Sequence, residues 1–161
     1  MKIVDLNDAL ELKPVVADRI WQAFWRPYGA VLSDVETALD DVLAGGAFPF
    51  SLVATDGDQF TGTVTAIVSD LAARPQLSPW IAALWVEPDR RGEGTAAALV
   101  AAAAAKLFEQ GMSPIYLCAK PPMRAFYQRL GWSLIEQHVG PDDLDVFARH
   151  AVPPLHSRTN P

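Results

Sequence analysis

The sequence predicts a mixed α/β (α+β) domain whose central sheet is mostly antiparallel but contains one parallel pair of strands. Three observations point there. An uninterrupted apolar run, Trp80 to Val86, leads into a glycine-rich turn and then an alanine-rich stretch, Ala96 to Gln110. A second apolar run, Ile115 to Ala119, follows that stretch, and a crossover of this length requires the two strands to be parallel. Elsewhere, shorter runs are joined by tight turns such as Asp56-Gly57-Asp58, the signal of antiparallel hairpins.

Taken in order, Ile3 and Val4 begin a short first strand. From Val15, with Pro14 suited to a first turn, Val16, Ile20 and Ala23/Phe24 recur at helical spacing until Arg26-Pro27 ends the pattern. Trp21, Phe24 and Trp25 make this helix end aromatic, and core packing is the ordinary role for at least two of them. Ser33-Asp34-Val35-Glu36 reads as a capping box for a second helix from about Asp34 to Leu43, stopped by Gly45-Gly46. Phe48 to Thr55 and Phe60 to Ser69 form a hairpin; Thr61, Thr63 and Thr65 alternate with smaller apolar residues, so one face should be less buried.

Residues 70–79 form a loop, and Trp80 to Val86 reads as a strand buried on both faces because no charge interrupts it. The long helix, Ala96 to Gln110, rests on the high helix propensity of alanine and stops at Gly111. After the strand Ile115 to Ala119, Pro121-Pro122 opens a short helix to Leu130. Trp132 to Val139 and Leu144 to Arg149 close the sheet, giving about seven strands and about four helices within residues 1–150. The tail, 151–161, is expected to be loose.

Composition narrows the function classes. A chain of 161 residues, half of them apolar, suits one domain able to bury about 70% of its unfolded surface. A net charge of −6 argues against a nucleic-acid partner and is compatible with cationic substrates. No run is long enough to span a membrane, and the first residues do not resemble a signal peptide. The single cysteine, Cys118, cannot form an internal disulfide, so a reducing cytoplasm is the expected compartment and a small buried residue its expected role.

The turn between strand and long helix carries the chemistry. Arg90-Arg91-Gly92-Glu93-Gly94-Thr95 sits where the first helical N–H groups lack internal partners and the helix dipole favours an anion. Two other phosphate loops are excluded: there is no Gly-Lys-Ser/Thr, and position 97 is alanine where a dinucleotide fingerprint needs glycine. Alone, two glycines before a helix could equally be a tight turn with solvated arginines.

Val86-x-Pro88-x-x-Arg91-Gly92-x-Gly94-x-Ala96 resembles the acyl-CoA signature of the GNAT superfamily of N-acyltransferases, Gln/Arg-x-x-Gly-x-Gly/Ala. A second block, Ala125-Phe126-Tyr127-Gln128-Arg129-Leu130-Gly131-Trp132, is similar to that family's Ala-x-x-Phe-Tyr-x-x-x-Gly-Phe helix end, in the family's order and spacing. The resemblance covers roughly residues 47–150. It implies the GNAT fold, with the parallel strands 80–86 and 115–119 splayed to admit a pantetheine arm, and acetyl-CoA as acyl donor.

The resemblance also implies roles. The backbone at Leu84 and Val86 would pair with pantetheine, and an N–H near Val86 would face the thioester oxygen. Arg91, Gly92, Glu93, Gly94, Thr95 and Ala96 would hold the pyrophosphate, and Tyr127 would protonate the leaving thiolate. The first helix would wall the acceptor site, which is expected to draw on Trp25, Trp80 and Asp70.

Two departures stand out. Some family members carry a glutamate base on the central strand, yet Trp80 to Val86 holds no acid. Where the family often has an asparagine after the next strand, Lys120-Pro121-Pro122 stands instead. The base is thus unassigned, with Asp70 and Glu87 as candidate proton acceptors. The expected activity is acetyl transfer from acetyl-CoA to a primary amine of a small molecule. Acetylation of a protein amino terminus or lysine is the alternative within enzymes, and an acyl-CoA-binding sensor is the alternative outside them. The implied partners are a small-molecule amine and, compatible with these residues, a second copy of the chain in a homodimer.

Overall fold

The computed structural model describes residues 1–153; the expected loose tail therefore lies outside the described residues from position 154 onward. Seven strands form one sheet in the order β1-β2-β3-β4-β5-β7-β6. They are β1 (Lys2–Asp5), β2 (Phe50–Asp56), β3 (Gln59–Ile67), β4 (Trp80–Val86), β5 (Ile115–Ala119), β6 (Ser133–Val139) and β7 (Leu144–Arg149). All neighbours are antiparallel except β4 and β5. Four α-helices accompany the sheet: α1 (Lys13–Ile20), α2 (Leu32–Leu43), α3 (Thr95–Glu109) and α4 (Arg124–Arg129).

Strand alternation sorts the core onto two faces. Phe50, Leu52 and Ala54 on β2, with Val64 and Ala66 on β3, pack against Leu99, Val100, Ala103 and Leu107 of α3. Val53 points the other way and meets Val16, Ile20, Val35 and Leu39 of α1 and α2. Alanines let α3 lie close to the sheet, and Gly62 on β3 is where that closeness demands no side chain. A Cβ there would sit 2.8 Å from the Trp85 carbonyl oxygen and 3.0 Å from Leu99 Cδ1.

Three local expectations are corrected. Helix α2 starts at Leu32, two residues early, because Asp34 rather than Ser33 caps it by accepting from the Val31 N–H at 3.1 Å. The threonine face of β3 is buried, not open, because α1 and α2 lie over that side of the sheet. Thr63 Oγ1 donates to the Leu52 carbonyl at 2.8 Å, and Thr65 lies 3.4 Å from the Ser51 hydroxyl. Finally, β4 is not buried throughout: Ala82 to Trp85 are half-exposed because the next strand leaves them.

That departure organises the molecule. Strands β4 and β5 are in register only at Trp80↔Tyr116, where the Tyr116 N–H also donates to the Pro79 carbonyl at 3.0 Å. Beyond this point they diverge, as the resemblance implies. Within β4 the pairing to β3 shifts register around Ala83, whose φ of 51° is left-handed for a non-glycine residue. The bulge sits beside the opening.

Candidate active site

Two cavities flank the divergence of β4 and β5. The smaller, about 210 Å³, lies at the start of α3 and is lined by Val86, Arg90 to Gly92, Gly94 to Ala97, and Phe126. Gly92 and Gly94 have φ of 82° and 84°, a region L-residues enter only under strain, and open space lies where their Cβ atoms would be. The first helical hydrogen bond runs from the Ala98 N–H to the Gly94 carbonyl at 3.0 Å. Among the described residues, the N–H groups of Gly92 to Ala97 have no backbone acceptor, so they form a cluster of free donors at the positive end of a fifteen-residue helix.

The arginines take different parts. Arg90 is tied to the β2–β3 turn, donating to Asp56 Oδ2 and to Gln59 Oε1, each at 2.9 Å. Arg91 folds back: its Nε donates to the Val86 carbonyl at 3.1 Å and its guanidinium lies 4.8 Å from the Trp85 ring centre. What Arg91 offers an anion is therefore its backbone and a guanidinium folded back onto β4. Glu93 does not line the cavity, and its carboxylate is 3.9 Å from Arg90. These residues fit a pyrophosphate: free amides, no side chains in the way, and cationic charge close by.

Backbone polarity on β4 follows from one bond. The Glu87 N–H donates to the Thr61 carbonyl on β3 at 2.9 Å. By strand alternation, Val86 and Leu84 turn their N–H and C=O groups away from β3, toward the gap. The bond from Arg91 to the Val86 carbonyl confirms that direction. A chain entering between β4 and β5 meets an unpaired strand edge.

The larger cavity, about 830 Å³, opens on the same gap. One wall comes from α1, the turn after it and α2, with Ile20, Phe24, Trp25, Tyr28, Val35 and Leu39 among its residues. The sheet contributes Thr65, Ile81 to Leu84, and Leu117 to Ala119. The far side holds Asp70, Lys120, Met123, Tyr127, Asp142 and Leu144. A π-helical turn, Trp21–Trp25, re-aims the aromatics at the end of α1. Trp21 anchors the following loop, its indole N–H donating to the Ala30 carbonyl at 2.8 Å, while Phe24 and Trp25 line the cavity.

Tyr127 is only 7% exposed, packed by Phe126 and Phe147 at ring separations of 5.0 and 5.5 Å, yet it lines the cavity. Burial, together with the neighbouring Cys118, pushes its phenol up to about 12. Helix α4 is held in place at its first residue, where Arg124 Nε and Nη2 donate to the two oxygens of fully buried Asp145 at 2.8 and 2.9 Å. Cys118 is half-buried and lines the cavity, so it is more than a core filler; its thiol donates to Asp70 Oδ2 at 3.4 Å. Burial first, then the charge of Asp70, raises that thiol to about 12. Asp70 has surface open to the cavity, but protein surrounds its carboxylate closely enough that desolvation raises its proton affinity.

Two expected residues fall elsewhere. Trp80 is fully buried, its indole donating to the Leu77 carbonyl at 2.7 Å and packing with Leu71, Val139 and Val146; it is core, not cavity wall. The reason is its place at the one point where β4 and β5 still pair. Glu87 is held by Arg19 at 2.8 Å, outside both cavities, so of the two candidate proton acceptors it is Asp70 that faces the acceptor space. Sequence reading missed Tyr28, Cys118 and Asp142 at the larger cavity and offered Phe24 as one of the three helix-end aromatics. Only the aromatic cluster at the end of α1 gave any signal, because the others come from segments far apart in the chain.

Residues 17–132 match the family model for the acetyltransferase (GNAT) family, and the chain belongs to that family. It is thus an acetyltransferase, and acetyl-CoA is the donor the family uses. No curated protein matches the sequence. Among solved structures, an aminoglycoside 6'-N-acetyltransferase complexed with coenzyme A is similar at a TM-score of 0.73 and 18% identity, covering 95% of this chain and 98% of that one. Ribosomal-protein-alanine N-acetyltransferase from Brucella melitensis is similar at 0.71 and 17%, covering 94% and 100%. A GCN5-related N-acetyltransferase from Ralstonia eutropha is similar at 0.63 and 24%, covering 87% and 97%. At these identities the likenesses establish the fold.

Proposed function

We propose that residues 1–150 form one catalytic unit that transfers the acetyl group of acetyl-CoA directly to a primary amine of a small molecule. The observation that carries this reading is the position of Tyr127: where β4 and β5 part, it lines the larger cavity together with Leu84, whose backbone faces that gap. The donor, when bound, supplies a thioester carbonyl. Its pyrophosphate would rest on the amides of Gly92 to Ala97, with Arg91, Glu93, Thr95 and Ala96 as the surrounding residues.

The Val86 N–H is preorganised to meet negative charge on the thioester oxygen, an effect commonly worth a few kcal/mol. Asp70, its proton affinity raised by desolvation, takes a proton from the incoming ammonium. As the new C–N bond forms and the C–S bond breaks, Tyr127 gives its proton to the departing sulfur, and the excess proton on nitrogen restores the phenol. Cys118 remains a thiol throughout the physiological range, which favours direct transfer over an acyl-cysteine route.

Tyr127→Phe tests the reading because it removes a hydroxyl and keeps the ring. Turnover at saturating acetyl-CoA should fall about 10²–10⁴-fold, while acetyl-CoA affinity and Tm hold. Wild-type turnover in the variant would reduce Tyr127 to packing.

A further inference from the structure

We propose that the acceptor is a hydrophobic primary monoamine, its ammonium held by Asp70 and its body against the aromatic wall at the end of α1. This rests on the acetyl-transfer reading above and names the substrate class of the same cavity.

The first argument is the wall. Ile20, Val35 and Leu39 are core residues, 6%, 2% and 4% exposed, that nevertheless border the cavity, so its depth is apolar. At its mouth, Phe24, Tyr28 and Met123 are 40%, 70% and 41% exposed. Large apolar side chains gathered around one concave opening mark a ligand site, and they gain from an apolar ligand rather than a polar one.

The second argument is charge. The cavity is bordered by two carboxylates, Asp70 and Asp142, and one ammonium, Lys120. These three groups together carry a net charge of −1, and Asp142 is engaged by the Tyr28 hydroxyl, whose proton it holds on by hydrogen bonding and charge. Among the described residues Asp70 has no cationic partner, and its one donor is the Cys118 thiol, a weak one. A net charge of −1 beside an apolar wall, with Asp70 open to the cavity, matches a monocation. Organic cations also gain from aromatic faces, which Phe24, Trp25 and Tyr28 supply. A monocation brings the cavity's charge to zero, whereas a dication overshoots it and a zwitterion leaves it uncompensated.

A series of equal length tests this: hexylamine, 1,6-diaminohexane and 6-aminohexanoate, with a peptide amino terminus as a fourth arm. Acetyl transfer is followed by thiol release, and binding to the coenzyme A-loaded protein is followed by calorimetry. Hexylamine should exceed the diamine and the amino acid by at least about tenfold in both kcat/KM and affinity. Asp70→Asn should weaken hexylamine binding about tenfold while leaving 1-hexanol binding unchanged, an outcome a merely structural role for Asp70 would not produce. Selective binding of hexylamine without acetyl transfer would uphold the ligand class and sink the transfer reading. Transfer to the diamine or the peptide at or above the level of hexylamine would leave transfer standing and overturn the inference. So would hexylamine that neither binds nor reacts.

Discussion

The small cavity at the start of α3 is walled almost wholly by one stretch, Val86 to Ala97, and what it presents is backbone N–H. The larger cavity is walled by side chains from α1, the turn beyond it, α2, four strands, α4 and the loops near Asp70 and Asp142. The first kind of site is written locally. Glycine at left-handed φ, a helix start and adjacent arginines are all visible in a dozen residues, because the geometry depends on chain direction and little else. The second kind depends on which of many apolar side chains the fold leaves uncovered, and a core residue looks the same in the sequence whether or not it borders a cavity.

The largest effect should come from putting a side chain into the backbone site. Gly94→Asp forces an aspartate to φ of 84° and places its carboxylate beside the anion's donors. Like-charge contact costs several kcal/mol, so acetyl-CoA affinity by calorimetry should fall at least about a hundredfold. Gly94→Ala, with open space for its Cβ, carries the strain alone and should lose about tenfold. Equal losses in the two would show that conformation, not charge, decides binding here.

The two tryptophans sharpen the same contrast on the side-chain site. Trp80→Ala empties a fully buried position and removes the donor to the Leu77 carbonyl, so it should destabilise by about 3–5 kcal/mol in denaturant titration. Acceptor KM should then move little at temperatures where the variant is folded. Trp25→Ala should do the reverse, raising acceptor KM about tenfold with a smaller loss of stability, since Trp25 only partly packs against the core. If Trp80→Ala raised acceptor KM more than Trp25→Ala, the assignment of wall and core would be inverted.

This pair also shows what was legible and what was not. The seven strands, the four helices and the parallel crossover follow from apolar runs, glycines and helix-forming alanines, and the structure holds them within a few residues. Trp80 misled because an indole at the start of the central strand looks like a cavity mouth; the strand opens at its other end, beyond the last residue that β5 pairs. Thr61 to Thr65 misled because hydroxyls suggested solvent, whereas they are satisfied within the sheet at Thr63 and covered by helices. Cys118 and Asp70 lie 48 positions apart, so no local pattern could announce that one donates to the other.

The smallest expected effect is on stability, and it isolates Asp70 from the rest of the cavity. Desolvation raises the proton affinity of Asp70 in the folded protein, and its bond from Cys118 offsets only part of that. The folded state therefore binds a proton more tightly than the unfolded state does. Stability from this group is fully present below the unfolded carboxylate value of about 3.9 and is lost as pH rises through the higher folded value. At neutral pH the ionised carboxylate is a net burden that the fold tolerates. Asp70→Asn keeps the shape and removes the charge, so Tm should rise slightly at pH 7.5, and the gain should vanish at pH 3.5, where both proteins carry a neutral group. Activity should move the opposite way: the wild-type acidic limb reports loss of the Asp70 carboxylate, and the variant, already without it, should be slower and lack that limb. Because Tyr127 keeps its proton to about pH 12, no alkaline fall from that phenol should appear below about pH 11. A variant that is less stable at pH 7.5 would mean that Asp70 is held by favourable contacts in the resting protein, and that its charge is not waiting for a cation.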